Sequence, residues 1–193
     1  MSVDVDTRPT STSHRLPSTV WVLAAGTFLM ATTELIVAGL LPEIASDLQV
    51  SVPQTGLLVS VFALGMTIGA PVVALLTLRL PRRMILLLAL ALFTVAHVVI
   101  GFSDSFAVIV VCRFLTAVAT GAFWSVAAVV ATRLADPSIS SRALTVAFGG
   151  GTLANVLGGP LGSFVGQVIG WRGTFLSVAV LAVGHTPSPD APA

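Results

Sequence analysis

The stretch Thr19–Leu41 reads TVWVLAAGTFLMATTELIVAGLL, and Glu34 is its one charged residue. About 17–25 apolar residues suffice to cross the hydrocarbon core of a bilayer as an α-helix. The run is too long for a secretory signal, and further runs of the same kind follow it. We therefore interpret it as the first membrane span.

Four more runs have the length of a span, and a sixth, at about Thr174–Gly184, is shorter than one. Short connectors join them, which indicates an all-α integral membrane protein. We expect a disordered cytoplasmic tail at 1–17, a transmembrane bundle at 18–184 and a polar, Pro-rich end at 185–193 that is foreign to the full-length fold. The four runs are Thr55–Leu78, Met84–Gly101, Phe106–Ala131 and Ala143–Ile169.

The composition agrees with lipid as the main solvent. Apolar residues make up 55% of the chain and charged residues 9%, whereas soluble domains carry about 25% charged residues. A net charge of +1 gives no case for nucleic-acid binding, and one cysteine, Cys112, excludes an internal disulfide framework. No phosphate-binding loop, catalytic triad or metal-ligand cluster is present. We therefore predict no enzyme activity, no cofactor and no metal.

The arginines predict the orientation, because cytoplasmic loops of membrane proteins carry the excess of positive charge. One side of the membrane receives only Arg172, together with three acidic residues, and the other receives seven arginines. We expect a multi-pass protein of the inner (plasma) membrane with a cytoplasmic N-terminus. The seven are Arg8, Arg15, Arg79, Arg82, Arg83, Arg133 and Arg142.

Two charged residues, Glu34 and Arg113, lie inside apolar runs. Either one alone would cost about 2.5–3.5 kcal/mol at the centre of a span, so such groups normally face the bundle interior and pair. Taking Pro42 as the outer end of the first helix, both lie roughly 10–12 Å below the outer surface. We expect them to meet if the first and fourth spans are neighbours.

This pair suggests a proton site. A nearby cation favours the ionised carboxylate, whereas burial favours the protonated one, so Glu34 would bind the transported proton and Arg113 would set its proton affinity. A static ion pair that only joins two helices remains the alternative.

Small residues recur every fourth position in the fifth run, at Gly150, Ala154, Gly158, Gly162, Gly166 and Gly170. Such a face permits close backbone contact with a neighbouring helix, and Pro160 invites a kink. Gly65 and Gly69 form a shorter version in the second run. Spacing alone favours ordinary packing over a functional role.

Several motifs, in order, resemble those of the major facilitator superfamily. The family's entry segment is similar to the stretch that begins at Thr33-Glu34 and continues through Gly39 and Pro42 to Asp47. The remaining motifs are Gly69-Ala-Pro71 leading into Arg79-Leu-Pro-Arg82-Arg83, Arg113 to Phe123 in the fourth span, Gly158-Gly159-Pro160-Leu-Gly162 in the fifth, and Trp171-Arg172-Gly-Thr174-Phe175 at the start of the sixth.

Within the superfamily the chain resembles twelve-helix drug:proton antiporters, especially chloramphenicol exporters and arabinose-efflux-like permeases. The resemblance implies a helix bundle of inverted repeats with a substrate cavity near the midplane. It implies proton coupling by Glu34 and Arg113, a conformational-switch loop at Gly69, Arg79, Arg82 and Arg83, and an antiporter motif at Gly158, Gly159, Pro160, Gly162 and Gly166. Thr33, Phe123, Trp124 and Asn155 are the candidate cavity residues. Phe123 and Trp124 could stack on an aromatic substrate, although packing of their rings in the core is favoured, and Asn155 could line a cavity or hydrogen-bond between helices.

The switch loop departs from the family pattern. The superfamily usually has an acidic residue at the position of Leu78 and a glycine at that of Pro81. The charge-relay role of the loop is therefore weakened in this sequence.

The resemblance makes this chain an N-terminal half with five complete helices and a partial sixth. We expect its partners to be the lipid bilayer, protons, a small hydrophobic substrate such as chloramphenicol, and either the missing C-terminal half or a second copy. The competing interpretation is a truncated or frameshifted membrane protein without transport activity of its own.

Overall fold

The computed structural model describes residues 16–76 and 80–184, and these are almost entirely helical with no strand among them. The expected tail at 1–17 lies mostly outside the described residues, and so does the Pro-rich end at 185–193. The helices are α1 (Ser18–Asp47), α2 (Val52–Thr55), α3 (Leu57–Leu76), α4 (Arg82–Phe102), α5 (Phe106–Leu134) and α6 (Ser140–Gly184).

Five segments of the described residues are long and apolar enough to cross a membrane, with α2 and α3 together forming one of them. The short helix α2 begins with a capping box, in which Ser51 and Gln54 each satisfy a backbone N–H of the other. The prediction of five complete spans is confirmed.

The first helix extends beyond the expected end. Pro42 lies inside α1, which continues to Asp47. A proline removes one helical hydrogen bond, but the following turn is held because Ile44 and Ala45 are buried in the core. The prediction that α1 ends at Pro42 is therefore wrong.

The helix α6 has two arms, at 140–169 and 171–184, separated at Gly170. Its φ of 70° and ψ of 168° are the one non-helical pair inside this element, and they lie in a region that only glycine occupies readily. Pro160 keeps helical backbone angles within the first arm. The second arm contains the partial sixth run and begins at Trp171, slightly earlier than expected.

Packing defines a bundle with two polar ends. α1 packs mainly along α6, α3 packs on α5, and α4 packs on both α5 and α6. The buried core lies between these helices, and large apolar side chains such as Leu75 and Phe102 cover the outer surface. A surface of this kind suits lipid rather than water.

We name each end of the bundle after one of the arginines that lie there. The Arg172 end contains 43–51, 103–105 and 169–172, and the Arg142 end contains 16–18, 80–83 and 133–142.

Candidate functional site

Glu34 lies on the side of α1 that faces away from α6. Thr32 contacts Gly158 and Ile36 contacts Gly162. Glu34 is two residues from each of them, and two residues rotate a helix by about 200°. Its side chain is consequently exposed on the surface of this bundle.

Arg113 lies in the core, where its exposed fraction is 0%. Its guanidinium carbon lies 4.3 Å from the centre of the Phe62 ring on α3, and such a contact stabilises a desolvated cation by about 2 kcal/mol. Nε, Nη1 and Nη2 of Arg113 have no hydrogen-bond partner within the described part of the chain. The α5 backbone therefore positions a buried cation whose donors remain available.

Glu34 and Arg113 lie at nearly the same depth. Residues 158 and 162 of α6 contact residues 32 and 36 of α1, so Glu34 lies level with Pro160. α5 runs in the opposite direction to α6, and Gly151 contacts Trp124, so Arg113, eleven residues before Trp124, lies about level with Gly162. Two residues of helix correspond to about 3 Å of rise. The contacts thus place the two residues at one level, as the sequence predicted, although α1 continues past Pro42, the end from which the depth of Glu34 was counted.

The expected ion pair between Glu34 and Arg113 is nevertheless absent from residues 16–76 and 80–184. The reason is the direction of the two side chains. Glu34 points outward because the neighbouring turns of α1 pack on the glycines of α6, whereas Arg113 points into the core. The interaction that remains is electrostatic, through space.

The four residues expected to line a cavity occupy different environments. Thr33 is buried and donates to the Leu29 carbonyl oxygen at 3.2 Å, Phe123 is buried in the core, and Asn155 is exposed. Trp124 packs edge-on against Phe148, with ring centres 5.3 Å apart, and its buried Nε1 has no partner among the described residues. Contact of these residues with a substrate stays a prediction.

The glycine stripe of α6 is a packing surface against α1. A Cβ at Gly158 would lie 3.2 Å from the Thr32 Cα. Added Cβ atoms at Gly162 and Gly166 would overlap the side chains of Ile36 and Leu40, whereas one at Gly159 would meet nothing within 4 Å. The close contact thus joins α6 to α1, and the exposed Pro160 lies outside it. A role of these residues as an antiporter motif stays a prediction.

The expected switch loop is described only in part, because Arg79 lies outside the described residues. Gly69 is a close-packing point, since an added Cβ would lie 2.9 Å from the Val118 carbonyl oxygen of α5. Arg82 is partly buried and Arg83 is exposed in the first turn of α4.

The Arg172 end holds a polar network that the sequence analysis did not identify. Nη2 of Arg172 lies 2.9 Å from Asp47 and 2.9 Å from Asp104. Nη1 donates to the Ser103 carbonyl oxygen at 2.7 Å, and the guanidinium lies over the Trp171 ring at 4.4 Å. The signal in the sequence was one cation at an otherwise acidic end.

Trp171 extends this network to the end of α1. Its indole N–H donates to Asp47 at 3.1 Å, and its backbone N–H donates to Glu43 at 3.3 Å. These residues border an open groove of about 560 Å³. Through these bonds, the residues that follow the break at Gly170 are connected to the end of α1 and to the α4–α5 connector, 103–105.

Comparison with known proteins places this bundle in a family. The family model described as Major Facilitator Superfamily matches residues 23–184. The chloramphenicol resistance protein of Streptomyces lividans is 44% identical over 165 residues, covering 86% of this chain and 42% of that protein. The inner membrane transport protein YdhP of Escherichia coli K12 is 38% identical over 161 residues, covering 83% and 41%.

A probable sugar efflux transporter of Mannheimia succiniciproducens is 35% identical over 163 residues, covering 84% of this chain and 41% of that protein. The chain therefore spans about 41% of the length of such relatives, which corresponds to an N-terminal half. From the family model, the order of the helices and these relatives together, the chain belongs to the major facilitator superfamily.

Proposed function

We propose that this chain is half of a proton-coupled exporter of a small hydrophobic drug such as chloramphenicol. The observation that carries the proposal is the position of Glu34, a carboxylate within a membrane span, exposed on the face of α1 opposite α6 and level with the buried Arg113. Ionisable groups at such depth commonly belong to substrate or proton pathways.

The electrostatics of this arrangement suit a reversible proton site. Transfer into a membrane favours the neutral carboxylic acid, whereas the Arg113 charge favours the carboxylate. Because no ion pair fixes Glu34 within the described residues, its side chain is free to meet a proton or a ligand. Glu34 would take a proton from outside in exchange for release of the drug.

The exposed face carrying Glu34 also suggests where the remainder of a transporter would lie. A charged group facing lipid is unfavourable, so a C-terminal half or a second copy would cover this face and enclose a cavity. Asn155, Trp124, Thr33 and Phe123 remain the proposed contacts of the drug on this half.

The α1–α6 interface offers a means of movement. Glycines along α6 present almost no side chain to α1, so the two helices approach closely, and a shift between them would change which small residues lie opposite Ile36 and Leu40. The antiporter motif at Gly158–Gly166 would use this surface, and the loop at Arg79, Arg82 and Arg83 would limit the motion at the cytoplasmic side.

Drug transport is proposed from relatives and from chemistry together. One relative is named as a chloramphenicol resistance protein, and another is named as a probable sugar efflux transporter. Small-molecule pockets are lined mainly by apolar and aromatic side chains, and two of the proposed drug contacts, Phe123 and Trp124, are aromatic. The plasma membrane with a cytoplasmic N-terminus is the proposed location, following the arginine distribution.

The test is proton-driven chloramphenicol transport in everted membrane vesicles. The chain is expressed alone and together with the C-terminal half of the Streptomyces lividans relative. We expect transport with both halves, loss of its dependence on the pH gradient in Glu34→Gln, and normal coupling in Asp136→Asn. The Asp136 variant is the matched control, because it removes one negative charge from an exposed connector.

Unchanged coupling in Glu34→Gln would remove the proton role of this residue. Absence of transport in both arrangements would favour the second candidate, a membrane protein without transport activity of its own.

A further inference from the structure

His97 of α4 lies in the core beside the α4–α5 and α4–α6 interfaces. Its exposed fraction is 0%, and its ring lies between Phe93, at 4.0 Å, and Phe175, at 5.6 Å between ring centres. An imidazole in such surroundings is costly unless both ring nitrogens find partners.

One ring nitrogen has its partner, and this determines the tautomer. Nδ1 of His97 lies 2.7 Å from the Phe93 carbonyl oxygen. A carbonyl oxygen only accepts hydrogen bonds, so Nδ1 carries the hydrogen and donates. In a neutral imidazole the other nitrogen, Nε2, is then an acceptor. It is buried and has no donor within the described residues.

Arg113 presents the complementary deficit. Its guanidinium has five N–H donors, and its three nitrogens are buried without an acceptor in the described part of the chain. Phe62 covers one face of the group at 4.3 Å, but a ring face does not satisfy N–H groups at the guanidinium edge. The core thus holds an acceptor without a donor and a set of donors without an acceptor.

The two groups lie on adjacent antiparallel helices at similar heights. A short connector, 103–105, joins α4 to α5. His97 is five residues before Phe102 and Arg113 is seven residues after Phe106, a difference of about 3 Å along the helix axis. Both side chains are fully buried, and α4 packs directly on α5.

We propose that His97 is a positioning residue whose Nε2 accepts a hydrogen bond from one water molecule, which in turn accepts one from the Arg113 guanidinium. Buried polar groups left without protein partners are commonly joined by such a water. The hydrogen bond itself is independent of the transport assignment.

Its consequence for coupling rests on the proposed function. His97 holds the cation on the α4 side, at the level of Glu34. Arg113 therefore keeps its place when Glu34 is protonated and no longer attracts it. The cation then acts on Glu34 from a fixed position through the whole cycle.

Solid-state NMR of the 193-residue chain in lipid tests the hydrogen bond without any transport assay. His14→Gln and His185→Gln leave His97 as the one histidine, and the sample carries ¹⁵N-histidine and ¹³C-labelled guanidinium carbons. We expect a protonated Nδ1, an unprotonated Nε2 with the shift of a hydrogen-bonded acceptor, and a dipolar coupling from Nε2 to one guanidinium carbon. A protonated or unbonded Nε2, or the absence of that coupling, overturns the proposal.

Two substitutions separate positioning from mere filling of space. Asn at position 97 places its amide near Nδ1 and loses the Nε2 acceptor, whereas Gln supplies an amide oxygen near Nε2. We expect a rigid Arg113 guanidinium in the parent chain and in His97→Gln, and a mobile one in His97→Asn. Equal rigidity in all three overturns the proposal. Results on Glu34→Gln transport do not enter this test, so failure of the proposed function is distinguishable from failure of this inference.

Discussion

Gly150 on α6 lies so close to the Ala24 carbonyl oxygen on α1 that a methyl group at residue 150 would overlap it. Here the two helices meet backbone to backbone. A backbone atom in a packed helix cannot rotate aside as the end of a side chain can, so this contact is the least adaptable along the α1–α6 interface.

We expect Gly150→Ala to lower the free energy of unfolding by about 1–3 kcal/mol, the usual cost of overpacking. Gly149→Ala is the matched control, because an added Cβ there meets nothing within 4 Å. Alanine should stabilise the helix at 149 by up to about 1 kcal/mol. Thermal unfolding followed by circular dichroism in nanodiscs measures both, and equal shifts would show that the stripe does not carry the packing.

A side-chain clash can be relieved in a way that a backbone clash cannot. An added Cβ at Gly162 would overlap the Ile36 side chain, so Gly162→Ala should destabilise the chain, and Ile36→Ala should return part of the loss. A double-mutant cycle measures this coupling, which we expect to be about 0.5–3 kcal/mol for residues in contact. Additive effects would contradict the proposed contact.

The break at Gly170 gives a different kind of prediction. An added Cβ would lie at an ordinary van der Waals distance, 3.6 Å, from a carboxylate oxygen of Glu43. Space is therefore sufficient, but a φ of 70° with ψ of 168° is unfavourable for any L-residue. Gly170→Ala should cost about 1–3 kcal/mol through backbone strain alone.

Gly159→Ala provides the comparison for this substitution, since residue 159 is helical and unobstructed. If both variants unfold at the same temperature, the break does not require a glycine.

The spans could be predicted because lipid imposes long apolar runs, whatever the tertiary contacts. The end of α1 could not. Pro42 suggests a helix end, but burial of Ile44 and Ala45 beyond it holds the last turns in place. Such burial depends on other helices, which a local pattern does not show.

The candidate site was predictable in depth but not in direction. Counting residues from Pro42 and from the start of the fourth span placed Glu34 and Arg113 at one level. The contacts agree on that level, although α1 continues past Pro42. The direction of the Glu34 side chain depends on which helix packs against the glycines of α6. Because that partner is α1, at Thr32 and Ile36, Glu34 turns outward. Spacing within α6 identifies the stripe but not its neighbour.

Arg172 should stabilise the end of the bundle at which it lies. It bonds Asp47, Asp104 and the Ser103 carbonyl oxygen. An exposed ion pair contributes little, about 0–1 kcal/mol, but Arg172→Gln removes several bonds together. We therefore expect it to lower the free energy of unfolding by about 1–2 kcal/mol.

Arg172→Lys is expected to fall between the parent and Arg172→Gln, because it keeps the charge but not the planar fork. Arg142→Gln, an exposed arginine at the opposite end, is the control. Chemical unfolding of the purified protein in detergent measures all three. A loss for Arg142→Gln as large as that for Arg172→Gln would show a general effect of charge.

Thiol labelling in intact cells tests which end faces outward. The chain has one cysteine, Cys112, which is buried, so Cys112→Ala gives a background without thiols. Ser105 is exposed at the Arg172 end and Ser141 at the Arg142 end. Because positive loops stay in the cytoplasm, Ser105→Cys should react with a membrane-impermeant maleimide in intact cells. Ser141→Cys should react only after permeabilisation, and the reverse pattern would invert the proposed topology and the side from which Glu34 takes its proton.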